Sequence, residues 1–146
     1  MQIKPKKSLG QNFLHDKNII NKIINASNIS CGDEILEIGP GTGSLTRFII
    51  NQNPKKIFLI EKDEKLSKSL KKKFFDNIKV INKDILKFFD YEIFNKNTIV
   101  IGNLPYNISS QILVKFILDN NFKYKALIFM FQKEMADRIL AKVNSK

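Results

Sequence analysis

The feature that most constrains this chain is a series of short apolar runs alternating with segments of helical period. The runs are Ile35 to Ile38, Ile57 to Ile60, Ile78 to Asn82, Thr98 to Ile101 and Ala126 to Phe131. Strand-like runs separated by helix-like segments predict an α/β sheet with mostly parallel strands. After Asp16, a side chain suited to N-capping, Ile19, Ile20, Ile23 and Ile24 recur at helical spacing and should pack one face onto the sheet. Further helices are expected from the glycine-rich turn to about Ile50, from Glu61 onward to about Lys73, over Ser109 to Leu118 and over Lys133 to Lys142. With 146 residues and 43% hydrophobic content, the chain is long enough to bury roughly 68–70% of its unfolded surface in one domain spanning 1–146. Glu37, Glu61, Asp84 and Asn103 each fall at or just after a strand's carboxyl end, where open α/β sheets bind ligands.

The first such end is Glu37-Ile38-Gly39-Pro40-Gly41-Thr42-Gly43. Glycines at a strand-to-helix turn remove the Cβ atoms that would hold a ligand off the backbone, and the helix beyond presents unpaired N–H groups. The dinucleotide fingerprint wants G-x-G-x-x-G, whereas here Gly39, Gly41 and Gly43 alternate behind Glu37. That E-x-G-x-G-x-G form is common among S-adenosylmethionine-dependent methyltransferases. Glu61 ends the second run, 18 residues after Gly43, where a carboxylate can accept from both ribose hydroxyls. Asp84 follows the third run and is placed to accept from an adenine amino group.

The fourth run opens into Gly102 and Asn103-Leu104-Pro105-Tyr106. An exocyclic adenine amine is a poor nucleophile because its lone pair is delocalised into the ring. A site for it must hold both N–H groups and favour the charge that develops on nitrogen. The Asn103 side-chain oxygen and the Leu104 carbonyl suit that task, Pro105 stiffens the turn, and Tyr106 offers a ring for stacking. A base reached in this way must leave its stack, so a flipped or single-stranded adenine is implied.

The formal charge of +11 and pI near 9.7 point to a polyanionic partner such as nucleic acid. Only Arg47 and Arg138 are arginines, so the excess is nearly all lysine, and the run Lys71 to Lys73 reads as a solvated helix end. Cys31 and His15 stand alone in their types, which excludes an internal disulfide and any metal site needing several Cys or His ligands. Met1 to Lys7 is basic but no apolar run of signal-peptide length follows it, and no stretch approaches a membrane span, so a cytoplasmic protein is expected.

In these motifs the chain resembles the ribosomal RNA adenine dimethyltransferases that act on the small subunit. The likeness begins at Lys7-Ser8-Leu9-Gly10-Gln11-Asn12-Phe13-Leu14 and runs through the glycine loop and Asn103 to Ser109. It continues to Gln132-Lys133-Glu134 and covers essentially all 146 residues. The resemblance implies a Rossmann-like class I S-adenosylmethionine-dependent methyltransferase in which Asn12, Leu14, Gly39, Gly41, Glu61, Asp84 and Asn103 contact the cofactor. It also implies that Asn103, Leu104, Pro105 and Tyr106 serve the transfer of two methyl groups to N6 of each of two adjacent adenosines. Those adenosines lie near the 3′ end of small-subunit ribosomal RNA, so the implied partner is that RNA or the immature small subunit, with no metal and no membrane, and the setting is ribosome biogenesis. Related antibiotic-resistance methyltransferases act on large-subunit RNA and more typically carry Ser-Gln-Asn-Phe and Asn-Ile-Pro-Tyr, so Gly10 and Leu104 favour the small-subunit family.

Family members continue with two further strands and a small helical domain, and this chain is expected to correspond to their amino-terminal portion. That leaves open a non-catalytic RNA-binding or ribosome-assembly role. A nicotinamide oxidoreductase is disfavoured by the glycine spacing.

Overall fold

The computed structural model describes residues 13–75 and 77–142. In chain order the elements are α1 (Lys17–Ser27), β1 (Glu34–Ile38), α2 (Ser44–Ile50), β2 (Lys56–Ile60), α3 (Glu64–Lys73) and β3 (Ile78–Ile81). Two single turns of 3-10 helix follow, Ile85–Lys87 and Tyr91–Ile93, then β4 (Thr98–Asn103), α4 (Ser109–Leu118), β5 (Ala126–Met130) and α5 (Lys133–Leu140). The strands form one parallel sheet in the order β3-β2-β1-β4-β5. The order reverses between β1 and β4, so their carboxyl ends part and leave a crevice there.

Side chains alternate across each strand and feed two cores. Leu36, Ile38, Phe58, Ile60 and Val100 face one side, where Ile112 and Phe116 of α4 and Ile85 and Phe88 of the first 3-10 turn pack on them. Ile35, Ile57, Leu59, Ile99 and Ile101 face the other, under Ile20 and Ile24 of α1, Leu45 and Ile49 of α2 and Leu70 of α3. The first core lacks a long helix between β3 and β4 and fills that space with rings instead. Phe94 and Phe116 lie 4.8 and 4.7 Å from Phe122, centroid to centroid.

The sequence reading differs from the fold at element ends. The fourth strand extends two residues beyond Ile101, because Gly102 still pairs with Ile38 and Asn103 with Met130. The third stops at Ile81, and Asn82 turns its side-chain amide to the Glu61 and Lys62 carbonyls at 2.8 and 3.2 Å. The last helix stops at Leu140 rather than Lys142, and Ala141 is extended. Asp16 caps α1 as expected, accepting from Asn18 N–H at 2.8 Å.

Gly43, which starts α2, is where α3 meets the glycine loop. It sits at φ +78°, and a Cβ there would lie 2.6 Å from the Phe74 ring. The Gly43→Ala substitution combines an unfavourable backbone conformation with overpacking, so it should cost about 2 kcal/mol. A Cβ at Gly32 meets nothing within 4 Å, and Gly32→Ala should be close to neutral. Urea unfolding of both variants checks this, and equal midpoints for the two would refute the packing argument.

Candidate functional site

Parallel register sets three strand ends level. Ile38 is opposite Ile60 on one side and Gly102 on the other. The ladder then runs one residue further, with Gly39 N–H donating to Ile60 O at 2.9 Å and Glu61 N–H to Ile81 O at 3.0 Å. A cleft opens above these ends, lined on its polar side by Gly39, Gly41, Glu61, Lys62, Lys83, Asp84, Asn103 and Asn107, with Leu104, Pro105 and Ile112 among its apolar neighbours. A smaller cleft adjoins it, lined by Leu14, Glu37, Pro40, Thr42 and Ser44. Phe13, Gly39, Gly41 and Asn103 line both.

The three glycines of the loop have different jobs. All three have positive φ, but only at Gly39 would a Cβ meet open space, pointing to a backbone that a ligand can approach. At Gly41 a Cβ would come within 3.1 Å of the Phe13 ring, and at Gly43 it would strike Phe74.

Glu61 is 5% exposed. Its Oε2 accepts from Gly41 N–H at 3.1 Å and its Oε1 from Asp63 N–H at 2.9 Å. Each oxygen keeps a lone-pair direction beyond these bonds. Burial raises its carboxyl above the ordinary range, against the pull of the Asp63 and Gly41 amides. Asp84 accepts from Leu86 N–H at 3.0 Å through Oδ1 and pairs with Lys62 Nζ at 2.9 Å through Oδ2. Despite the opposing effect of partial burial, these partners hold its carboxyl below the usual range.

Asn103 ends β4 half-buried, Leu104 is buried at 2% exposure, and Pro105 lines the larger cleft. Tyr106 is 49% exposed and lies between Pro105 and Asn107, which line the larger cleft. Leu14 lines the smaller cleft, whereas Asn12 lies outside the described residues. Among the described residues no cluster of three or more His, Cys, Asp or Glu side chains is arranged to hold a metal, and no helix is long and apolar enough to cross a membrane.

Two features escaped the sequence reading. Lys62, the partner of Asp84, carried no signal beyond its place directly after Glu61. Glu37 is fully buried, and its Oε2 accepts from Thr46 Oγ1 at 2.7 Å, tying β1 to α2. The i to i+9 spacing of Glu37 and Thr46 is informative only once the intervening turn is known.

A parallel sheet in this order with its cleft at the switch point is the Rossmann-like fold of class I methyltransferases. The chain belongs to the ribosomal RNA adenine dimethylase family, whose profile it matches over residues 2–146. It is 50% identical over 147 aligned positions to ribosomal RNA small subunit methyltransferase A of Pelagibacter ubique, covering 99% of this chain and 56% of that protein. Among solved structures it resembles a dimethyladenosine transferase from Plasmodium falciparum, with a TM-score of 0.78, 35% identity and coverage of 92% and 48% of the two chains. It also resembles the 23S rRNA methyltransferase ErmE, with a TM-score of 0.73, 28% identity and coverage of 86% and 50%. The chain spans about half the length of the curated relatives it matches.

Burial pushes the Glu37 carboxyl up from an ordinary 4.5 to about 7, with the Glu61 charge adding to the rise and the Thr46 hydroxyl opposing it. A carboxyl raised on folding contributes stability that is complete below its unfolded pKa and lost as pH rises through its folded one. Stability should therefore fall by about 2–3 kcal/mol between roughly pH 5 and pH 8 from Glu37 alone, and Glu61 acts with the same sign. Glu37→Gln should flatten most of that slope in urea titrations run across the range. An unchanged slope would show that Glu37 does not hold its proton on folding.

Proposed function

We propose that this chain binds S-adenosylmethionine at the carboxyl ends of β1, β2, β3 and β4, and that the protein methylates N6 of adenosine in small-subunit ribosomal RNA. The observation that carries this reading is the shared cleft, in which Asn103 lies with the open backbone of Gly39 and with Glu61 and Asp84. Glu61 has acceptor capacity left for ribose hydroxyls, Asp84 for an adenine amino group, and Leu14 and Gly41 close the side toward the smaller cleft. Asn12 completes the cofactor set on the strength of the family resemblance.

When bound, the cofactor supplies an electrophilic methyl group. The chain's part is to hold the amine. The Asn103 side-chain oxygen and the Leu104 carbonyl accept its N–H groups, which favours positive charge on nitrogen as the new bond forms. Burial of the Leu104 side chain fixes that carbonyl, and Pro105 restrains the turn. Tyr106, half exposed beside the cleft-lining Pro105, offers a face for a base that has left its stack. No general base is required, because the methylated ammonium loses its proton to water. The finer product is N6,N6-dimethyladenosine at two adjacent positions, formed on the RNA or the immature small subunit in the cytoplasm during ribosome biogenesis.

Calorimetry with S-adenosylhomocysteine tests the cofactor site. Glu61→Gln keeps the side chain's size but removes its charge, and hydrogen bonds to charged groups contribute roughly 1.5–3 kcal/mol, so affinity should fall about tenfold or more. Unchanged affinity in a folded variant removes Glu61 from the site.

Asn103→Ala tests the chemistry in single-turnover methyl transfer to ribosomal RNA. The rate should drop about a hundredfold, the order found when one preorganised partner of the transition state is removed. RNA affinity should change little. An equal loss of RNA binding and rate would make Asn103 a structural residue.

A further inference from the structure

The carboxyl end of α3 is bound to the glycine loop at two points. Lys73 Nζ donates to the Thr42 carbonyl, and the Phe74 ring packs on Gly43. Thr42 in turn lines the same small cleft as Asn103. Lys71 and Lys72 are exposed beside this junction, and Arg47 of α2 is exposed close to Lys73. Lysines in a last helical turn complement the helix dipole, and Arg47 stands in the last turn of α2 in the same way, so the dipoles account for each basic end but not for the two ends being set side by side.

Among the described residues these cations have no partner of opposite sign. The ion pairs among the described residues use Lys55, Lys62, Lys68 and Lys125, and none involves Arg47, Lys71, Lys72 or Lys73. From Lys65 to Lys79 the sequence holds six lysines and one acid, Asp76. Partial burial and then the like charge of Arg47 push the Lys73 amine below its ordinary range. Holding like charges together costs energy, and a phosphate laid between them would recover it. Next to them Phe75 is 65% exposed, a ring with no core to pack into. Cations around a bared aromatic are what a nucleic-acid strand needs, phosphates meeting the charges and a base meeting the ring.

We propose that the end of α3 together with Arg47 is a phosphate-binding flank that takes the backbone of a single-stranded RNA segment beside the cleft, with Phe75 stacking on one of its bases. This rests on the reading of the protein as an RNA methyltransferase and extends it from the reacting base to the strand that delivers it.

The test measures binding of a fluorescein-labelled RNA hairpin with an adenosine-rich loop by anisotropy over a series of KCl concentrations. The triple variant Arg47→Gln, Lys71→Gln, Lys72→Gln should bind more weakly, with a log–log salt slope shallower by about 2, from roughly 0.7 per phosphate contact. Phe75→Ala should lose about tenfold in affinity with its slope unchanged, since base stacking is not a charge effect. A control triple, Lys56→Gln, Lys96→Gln, Lys123→Gln, removes the same charge from the amino-terminal edge of the sheet and should bind nearly as the native chain does. S-adenosylhomocysteine affinity, measured by calorimetry, should be native in all three. Equal losses in both triple variants, or none in either, overturn the flank while leaving the RNA reading intact. Absence of RNA binding by the native chain overturns both, and a cofactor affinity that falls with RNA affinity would make the flank part of the loop's folding.

Discussion

The Glu61 carboxylate is the interaction on which the site depends. One oxygen holds the Gly41 amide and the other the Asp63 amide, so a single side chain fixes the glycine loop after β1 to the entry of α3 after β2. Two loops that would otherwise move separately are held as one wall. The consequence is preorganisation. A ligand that reaches this carboxylate finds the loop already in shape and loses less free energy to ordering it.

Burying such a group is costly unless its oxygens are satisfied, and here the charge of Asp63 adds to that cost. A second carboxylate, Glu37 near the end of β1, is buried at 2% exposure with the Thr46 hydroxyl as its hydrogen-bond partner. Burial and the Glu61 charge act together to favour a proton on Glu37. Glu37 therefore serves the position of α2 through Thr46, while Glu61 faces the larger cleft.

Apolar runs announced all five strands and their parallel arrangement, because the inner strands β1, β2 and β4 are buried on both faces and have almost nothing but apolar residues to offer, while the edge strands β3 and β5 are partly buried and still largely apolar. The same runs placed Glu61, Asp84 and Asn103 at strand ends without any knowledge of their neighbours. Partners were another matter. Nothing in the order of residues reveals that Lys62 turns to Asp84, that Glu37 reaches Thr46, or that Lys73 crosses to Thr42, since each contact depends on how two elements separated in sequence are set side by side. The 3-10 turns at Ile85 and Tyr91 were also invisible, for single turns are too short to show a period. Exposure is equally illegible in residue type, for Tyr106 is 49% exposed beside a Leu104 buried at 2%.

The unequal faces of the sheet explain why the cleft opens where it does. On the side of α1, α2 and α3, aliphatic side chains pack under regular helices up to the glycine loop, which closes that side. On the other side the chain returns from β3 to β4 through two short turns, and bulky rings near Phe94 and Phe122 support it from below. Rings at that level leave the upper part of the crossing to Asp84 and Ile85, which form a wall of the cleft instead of a lid over it. The Lys62 to Asp84 pair and the Asn82 amide then tie that wall to the end of β2. The connection between β3 and β4 thus contributes a wall to the cleft at the strand ends, with the aromatic core packed beneath it.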